Sequence, residues 1–139
     1  MIVITFLDDR QGMLFHNRRL SRDRAASSRI KEICAGKKLW MNAYSARLYG
    51  TLDGVDIALE EAFLLRAGEG EFCLVETEML KPVEERIEEI IVFWWNRVYP
   101  ADICLDLDLS RWDQVSCREF KGNSHESITE IIYRRGDAK

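Results

Sequence analysis

Between Lys37 and Gly50 the chain reads KKLWMNAYSARLYG: a short apolar run of Leu39, Trp40 and Met41 breaks at Asn42 and gives way to helical spacing at Ala43, Ala46, Leu48 and Tyr49. This is a strand feeding a helix, the unit from which α/β sheets are built. In an open α/β sheet, ligands lie beyond the carboxyl ends of the strands. A helix starting there turns free backbone N–H groups and the positive end of its dipole outward. Asn42, Ala43, Tyr44 and Ser45 are therefore the first candidates to meet a bound anion. Capping of the helix by Asn42 or Ser45 accounts for the same residues without a ligand.

The flanking chain supports an α/β reading. Met1 to Leu7, MIVITFL, is a β-branched and aromatic run too short for a helix, as expected of a central strand buried on both faces. Asp8 to Leu20 carries Gly12 and no sustained period, so it reads as a long loop, and long loops in small domains are disproportionately functional. Ser21 then caps a helix over Arg22 to Ala35, stopped by Gly36, with Ala25, Ala26, Ile30, Ile33 and Cys34 on its buried side. After the turn TLDG, Asp56 caps a helix with Ile57, Leu59, Phe63 and Leu64 apolar, ending at Gly68. Glu71 to Glu76 is the next strand, and Pro82 opens a short helix containing Val83 and Ile87.

Ile90 to Val98, IIVFWWNRV, is the longest apolar run. The adjacent Trp94 and Trp95 must point to opposite faces of a sheet, so each needs cover from core, ligand or a second copy of the chain. DICLDLDLSRW is loop or edge; Trp112 to Lys121 and Ser127 to Arg135 read as two strands joined by the turn GNSHE. They form an antiparallel pair closing a sheet whose first strands are parallel.

A chain of 139 residues, 47% hydrophobic and 32% charged, suits a single domain with its own core, spanning 1–139. The apolar run at Met1 to Leu7 is too short for a membrane span and has no basic flank of a signal segment, so a cytoplasmic location is expected. Cys34, Cys73, Cys104 and Cys117 are far apart in sequence, with no C-x-x-C pair. They read as buried thiols and not as a metal site. Arg10, Arg18, Arg19, Arg22, Arg24 and Arg29 give the first third a basic cluster, which could meet phosphates or be a solvated face. The net charge of −4 and the lack of interleaved aromatics argue against nucleic acid as the partner.

The order of elements and several local stretches resemble the dihydrofolate reductase family. The Gly-containing loop DDRQGM with Gly12 and Met13, the turn Leu20-Ser21-Arg22-Asp23 opening a helix, and LWMNAYSARLYG are similar to its N-terminal half. Asp102, Trp112, Ser124-His125 and Arg134-Arg135 are similar to its C-terminal half. The resemblance implies a three-layer αβα fold with a mixed, mainly parallel sheet and a C-terminal antiparallel pair. It further implies NADPH as cofactor, held by Gly12, Met13, Asn42, Ala43, Tyr44 and Ser45. Asp23 is then the acid that assists protonation of a ring nitrogen in a pterin-like substrate, its pKa raised by burial.

The chain departs from that family at Glu76-Thr77-Glu78, where a Gly-Gly turn is expected; a carboxylate there repels a pyrophosphate. A binding or interaction protein that kept the fold without the catalysis is the alternative. An acid in the first turn of a helix also stabilises the helix dipole, which accounts for Asp23 without chemistry. Ribonuclease Z activity of the metallo-β-lactamase type is excluded. His16 and His125 are the only histidines, too few for a His-x-His-x-Asp-His dizinc cluster, and each reads as a surface or capping loop residue.

Overall fold

In a computed structural model, which describes residues 1–136, the chain forms ten strands and three α-helices. In order these are β1 (Ile2–Leu7), β2 (Gly12–Phe15), β3 (Arg18–Arg19), α1 (Arg24–Ile33), β4 (Lys38–Met41), α2 (Ala43–Tyr49) and β5 (Asp56–Leu59). They continue with α3 (Phe63–Arg66), β6 (Phe72–Leu74), β7 (Glu89–Trp94), β8 (Ile103–Cys104), β9 (Trp112–Phe120) and β10 (Ile128–Arg135), with 3-10 turns at Lys81–Arg86 and Leu109–Arg111.

Seven strands make one sheet in the order β5-β4-β6-β1-β7-β10-β9, and β3-β2-β8 make a small second sheet. From β5 to β7 the pairings are parallel; β10 runs antiparallel to both β7 and β9. The run MIVITFL lies in the middle of the sheet because it is apolar on both faces. Val3 and Leu7 enter one core, Ile4 and Phe6 the other. In β7 and just beyond it the same alternation sends Ile90, Val92 and Trp94 one way and Ile91, Phe93 and Trp95 the other. Each fully buried aliphatic or aromatic side chain contributes about 1.5–3 kcal/mol, so these two strands anchor both faces.

On one face α1 and α2 cover the sheet through Ala26, Ile30 and Tyr49. On the other lie α3, the 3-10 turn around Val83, and the small sheet with Met13 and Leu14. The expected three-layer arrangement with its C-terminal antiparallel pair is the one observed. Arg29 of α1 reaches across to Glu130 of β10 at 2.6 Å, fastening the helix to the antiparallel end. Trp95 is buried in one core, and Trp94, half-buried, packs against the other.

Four local expectations are corrected. Residues 8–20 are not an open loop: β2 and β3 form a hairpin whose turn residues His16 and Asn17 have φ of 50° and 63°. The helix expected from Asp56 is instead β5 followed by α3, because β4 offers DIAL a parallel pairing edge. The N-cap of α1 is Asp23, not Ser21. Of the four cysteines, Cys34 and Cys73 are buried, whereas Cys104 and Cys117 lie exposed on β8 and β9.

Candidate functional site

Asp23 has extended backbone (φ −156°, ψ 133°) and caps α1 by accepting from Ala25 N. The turn between β9 and β10 closes over it. Its Oδ1 also accepts from Asn123 N at 2.9 Å, while Oδ2 accepts from Ser124 N at 2.8 Å, Ser124 Oγ at 3.1 Å and His125 N at 3.1 Å. The imidazole of His125 completes the set, with Nδ1 2.9 Å from Oδ2. Burial alone raises a carboxyl pKa. Here that effect is outweighed by hydrogen bonds from Asn123, His125, Ser124 and Ala25, which hold Asp23 well below the usual carboxylate range. The expectation of a raised pKa is thereby corrected: Asp23 is a fixed anion with its accepting capacity already used.

His125 is buried, not a surface loop residue. Its ring stacks on Trp95 at 4.5 Å between centroids, and Trp95 stacks on Phe6 at 5.2 Å. Its Nε2 lies 3.1 Å from Ser21 Oγ and 3.0 Å from Tyr99 Oη. The ring thus has Asp23 Oδ2 on its Nδ1 side and the Ser21 and Tyr99 hydroxyls on its Nε2 side.

The second cluster lies at the carboxyl ends of β4 and β6. Asn42 caps α2 by accepting from Ser45 N, and its Nδ2 donates to Thr77 Oγ1 at 2.9 Å. Ala43 N donates to Glu61 Oε2 at 2.7 Å, and Ser45 Oγ donates to Glu76 Oε1 at 2.8 Å. Glu76 is buried and receives a two-pronged contact from Arg19, Nε to Oε2 at 2.8 Å and Nη2 to Oε1 at 3.0 Å. These bonds from Glu76 raise the Arg19 pKa further. The guanidinium sits 4.6 Å above the Tyr44 ring, and Tyr44 Oη accepts from Arg19 N at 2.9 Å.

Gly12 and Met13 belong elsewhere. Gly12 N donates to Oδ1 of the buried Asp8 at 2.7 Å, and a Cβ at Gly12 would come within 2.7 Å of Ala101 Cβ. Asp8 also accepts from Arg10 N and Tyr99 N, pinning the start of the loop to the segment after β7. Met13 is in the core.

The residues present do not fit a dinucleotide phosphate at the α2 terminus. Two donors there are taken by Asn42 and Glu61, and the buried Glu76 carboxylate occupies the Ser45 hydroxyl. Between the clusters, a cavity lined by Phe6, Met13, Arg19, Leu20, Ser21, Glu76 and Trp95 measures only about 10 Å³. Larger openings lie outside. A groove of about 500 Å³ runs along Phe15, His16, Arg18, Arg19, Leu20, Tyr99 and Pro100, and another of about 400 Å³ lies beside Arg22 and Arg24. Among the described residues no cluster of His, Cys, Asp and Glu is arranged to hold a metal ion, and no helix is long and apolar enough to cross a membrane.

Asp8 and Tyr99 carry no sequence signal as site-building residues. Their partners lie tens of residues away, and no local spacing marks them. Ser124-His125 stood out only through its likeness to a family motif.

No family model and no curated protein matches the chain. Among solved structures it is similar to a dihydrofolate reductase from Enterococcus faecalis complexed with NADP(H) and RAB-propyl, with a TM-score of 0.69 over 98% of this chain and 96% of that one. The fold is that of dihydrofolate reductase. At 11% identity the likeness concerns the backbone, and the chemistry of this dihydrofolate reductase-like shell rests on its own side chains.

Proposed function

We propose that this chain binds a small anionic ring compound and uses the dihydrofolate reductase fold as a scaffold without hydride transfer. One contrast carries the reading: about 10 Å³ remains in the inner cleft, against about 500 Å³ in the groove beside it. The groove has the size of small-ligand sites, and its walls match such a compound. The Phe15 and His16 rings, stacked at 3.9 Å, offer an aromatic face, and Arg18 supplies a charge next to it.

A second reading is favoured by the likeness to an NADP(H)-complexed reductase. In it the chain reduces a pterin-like heterocycle, NADPH is held by Gly12, Met13, Asn42, Ala43, Tyr44 and Ser45, and Asp23 is the catalytic carboxylate. That reading requires Glu61 and Glu76 to leave the α2 terminus and Asp23 to give up its donors.

One titration separates the two. Thermal unfolding is followed with NADPH and, in parallel, with a panel of nucleoside monophosphates and aromatic carboxylates. Ligand at a hundred times its dissociation constant adds about 2.7 kcal/mol, a shift of several degrees in a domain of this size. The binding reading expects a saturable shift from a panel member, lost in Arg18→Ala, and none from millimolar NADPH. A saturable NADPH shift overturns it in favour of the reductase.

A further inference from the structure

Arg19, Arg29 and Arg134 each hold a carboxylate, at 2.8, 2.6 and 2.6 Å. Among the described residues, Arg22, Arg24 and Lys121 hold none. These three exposed cations come from segments far apart in sequence, the entry to α1 and the turn after β9. The bonds from Asn123 N and Ser124 N to Asp23 fasten the two segments together. A flat solvated face would account for unpaired charges, but these line concave surface. Arg22 and Arg24 line the groove of about 400 Å³ together with Ser27, Leu48 and Asn123. Arg24 and Asn123 also line a second hollow, of about 280 Å³, whose walls include Ser28 and Lys121. The two spaces therefore adjoin through a shared arginine and a shared amide.

The walls are matched to an anion. No acid lines the smaller hollow, and the one acid in the wall of the larger is Asp23. Its side chain is 0% exposed, and its oxygens are turned to donors from Ala25, Asn123, Ser124 and His125, so its charge is compensated before it reaches the groove. The backbone end of α1 contributes little, because Ala25 N is already given to Asp23. What remains is side-chain charge, with uncharged donors on Ser27, Ser28 and Asn123 beside it.

We infer that these joined hollows bind a small organic phosphate, at a site separate from the groove at Phe15 and Arg18. The phosphate sits in the smaller hollow, where the Arg24 guanidinium and the Lys121 ammonium together balance a dianion. A carboxylate carries one charge and leaves one of these cations unbalanced. The organic part runs along the larger hollow past Arg22, with its apolar end on the half-buried Leu48. This site stands on its own cavity and charges and does not depend on a ligand being found at Arg18.

The test titrates the whole chain with n-butyl phosphate, which has no ring to stack on Phe15 and His16, and follows backbone amide shifts by nuclear magnetic resonance. Pentanoate, of similar length with a carboxylate, is the control for charge. The expected result is saturable movement of amides in Arg24 to Ser28 and Lys121 to Ser124, weakened by added salt. Affinity should fall about tenfold in Arg24→Gln and in Lys121→Gln and stay unchanged in Arg18→Ala. Both glutamine variants lie on the surface, and the amide spectrum itself reports whether each is folded. The assignment is overturned if these amides do not move at millimolar butyl phosphate, if only Phe15 to Leu20 respond, or if both glutamine variants bind as the wild type does. Equal affinity for pentanoate overturns the choice of a dianion. Failure of the Arg18 groove to bind its panel leaves all of these readouts unaffected, so the two readings fall separately.

Discussion

Asp23, singled out from the sequence as an acid, has a different character in the structure. A carboxylate that accepts six hydrogen bonds is a poor proton donor, because each bond is made to the charged form. The linkage follows directly. Its pKa is depressed on folding, so the unfolded chain binds the proton more tightly, and stability rises with pH across its titration. The Asp23 contribution is therefore complete above the unfolded carboxyl pKa of about 4 and is lost as pH falls toward the folded value. Asp23→Asn keeps the size but replaces one acceptor oxygen by a donor facing other donors, and should cost about 2–3 kcal/mol at neutral pH. Urea unfolding at pH 7 and pH 3 checks both points: the gap between wild type and variant should shrink at the lower pH. A gap that is constant or widens would show that the carboxylate charge is not what the fold uses.

At the scale of elements, the turn between β9 and β10 is held by the residue it covers. A Cβ on Gly122 would lie 2.7 Å from Asp23 Oδ2 and 2.7 Å from the His125 carbonyl oxygen, and the latter is backbone that cannot swing aside. Gly122→Ala should therefore destabilise by about 1–3 kcal/mol. It should also move the fluorescence of Trp95, which stacks on His125, more than an alanine at Gly136 would, where a Cβ meets its nearest atom at an ordinary 3.6 Å. Equal effects at the two glycines would mean that the turn relaxes freely. The elements legible in the sequence were those whose burial is periodic within a few residues, such as MIVITFL, IIVFWW and the strand-to-helix step at Asn42. Those hidden depend on distant partners. DIAL has no strand signal of its own and is a strand because β4 lies alongside. The β2–β3 turn uses His16 and Asn17 in left-handed conformations where a glycine would have announced it. The site followed the same division: the α2 cap was visible in local spacing and Asp23 only through the family resemblance, while the carboxylates and the imidazole that occupy their bonding capacity come from other strands and loops.

Across the whole molecule, the two cores on either side of the sheet make a prediction that the cysteines can report. Cys34 lies in the core beneath α1 and Cys73 in the core on the opposite face, both fully buried. Burial pushes each of these thiols up to about 12, so at pH 8 neither supplies the thiolate that disulfide reagents need. Cys104 on β8 and Cys117 on the edge strand β9 are exposed. A chromogenic disulfide reagent should therefore titrate two thiols rapidly in the native protein and all four in denaturant. The native slow phase should track opening of the fold, and since the cores share β1 and β7, both buried thiols should open together. If Cys34 reacts well before Cys73, the α1–α2 layer opens alone and the sheet does not couple its two faces. If they react at one rate, a ligand that binds only the native state slows both alike, so the thiol rate reads occupancy of the groove without any assumption about its chemistry.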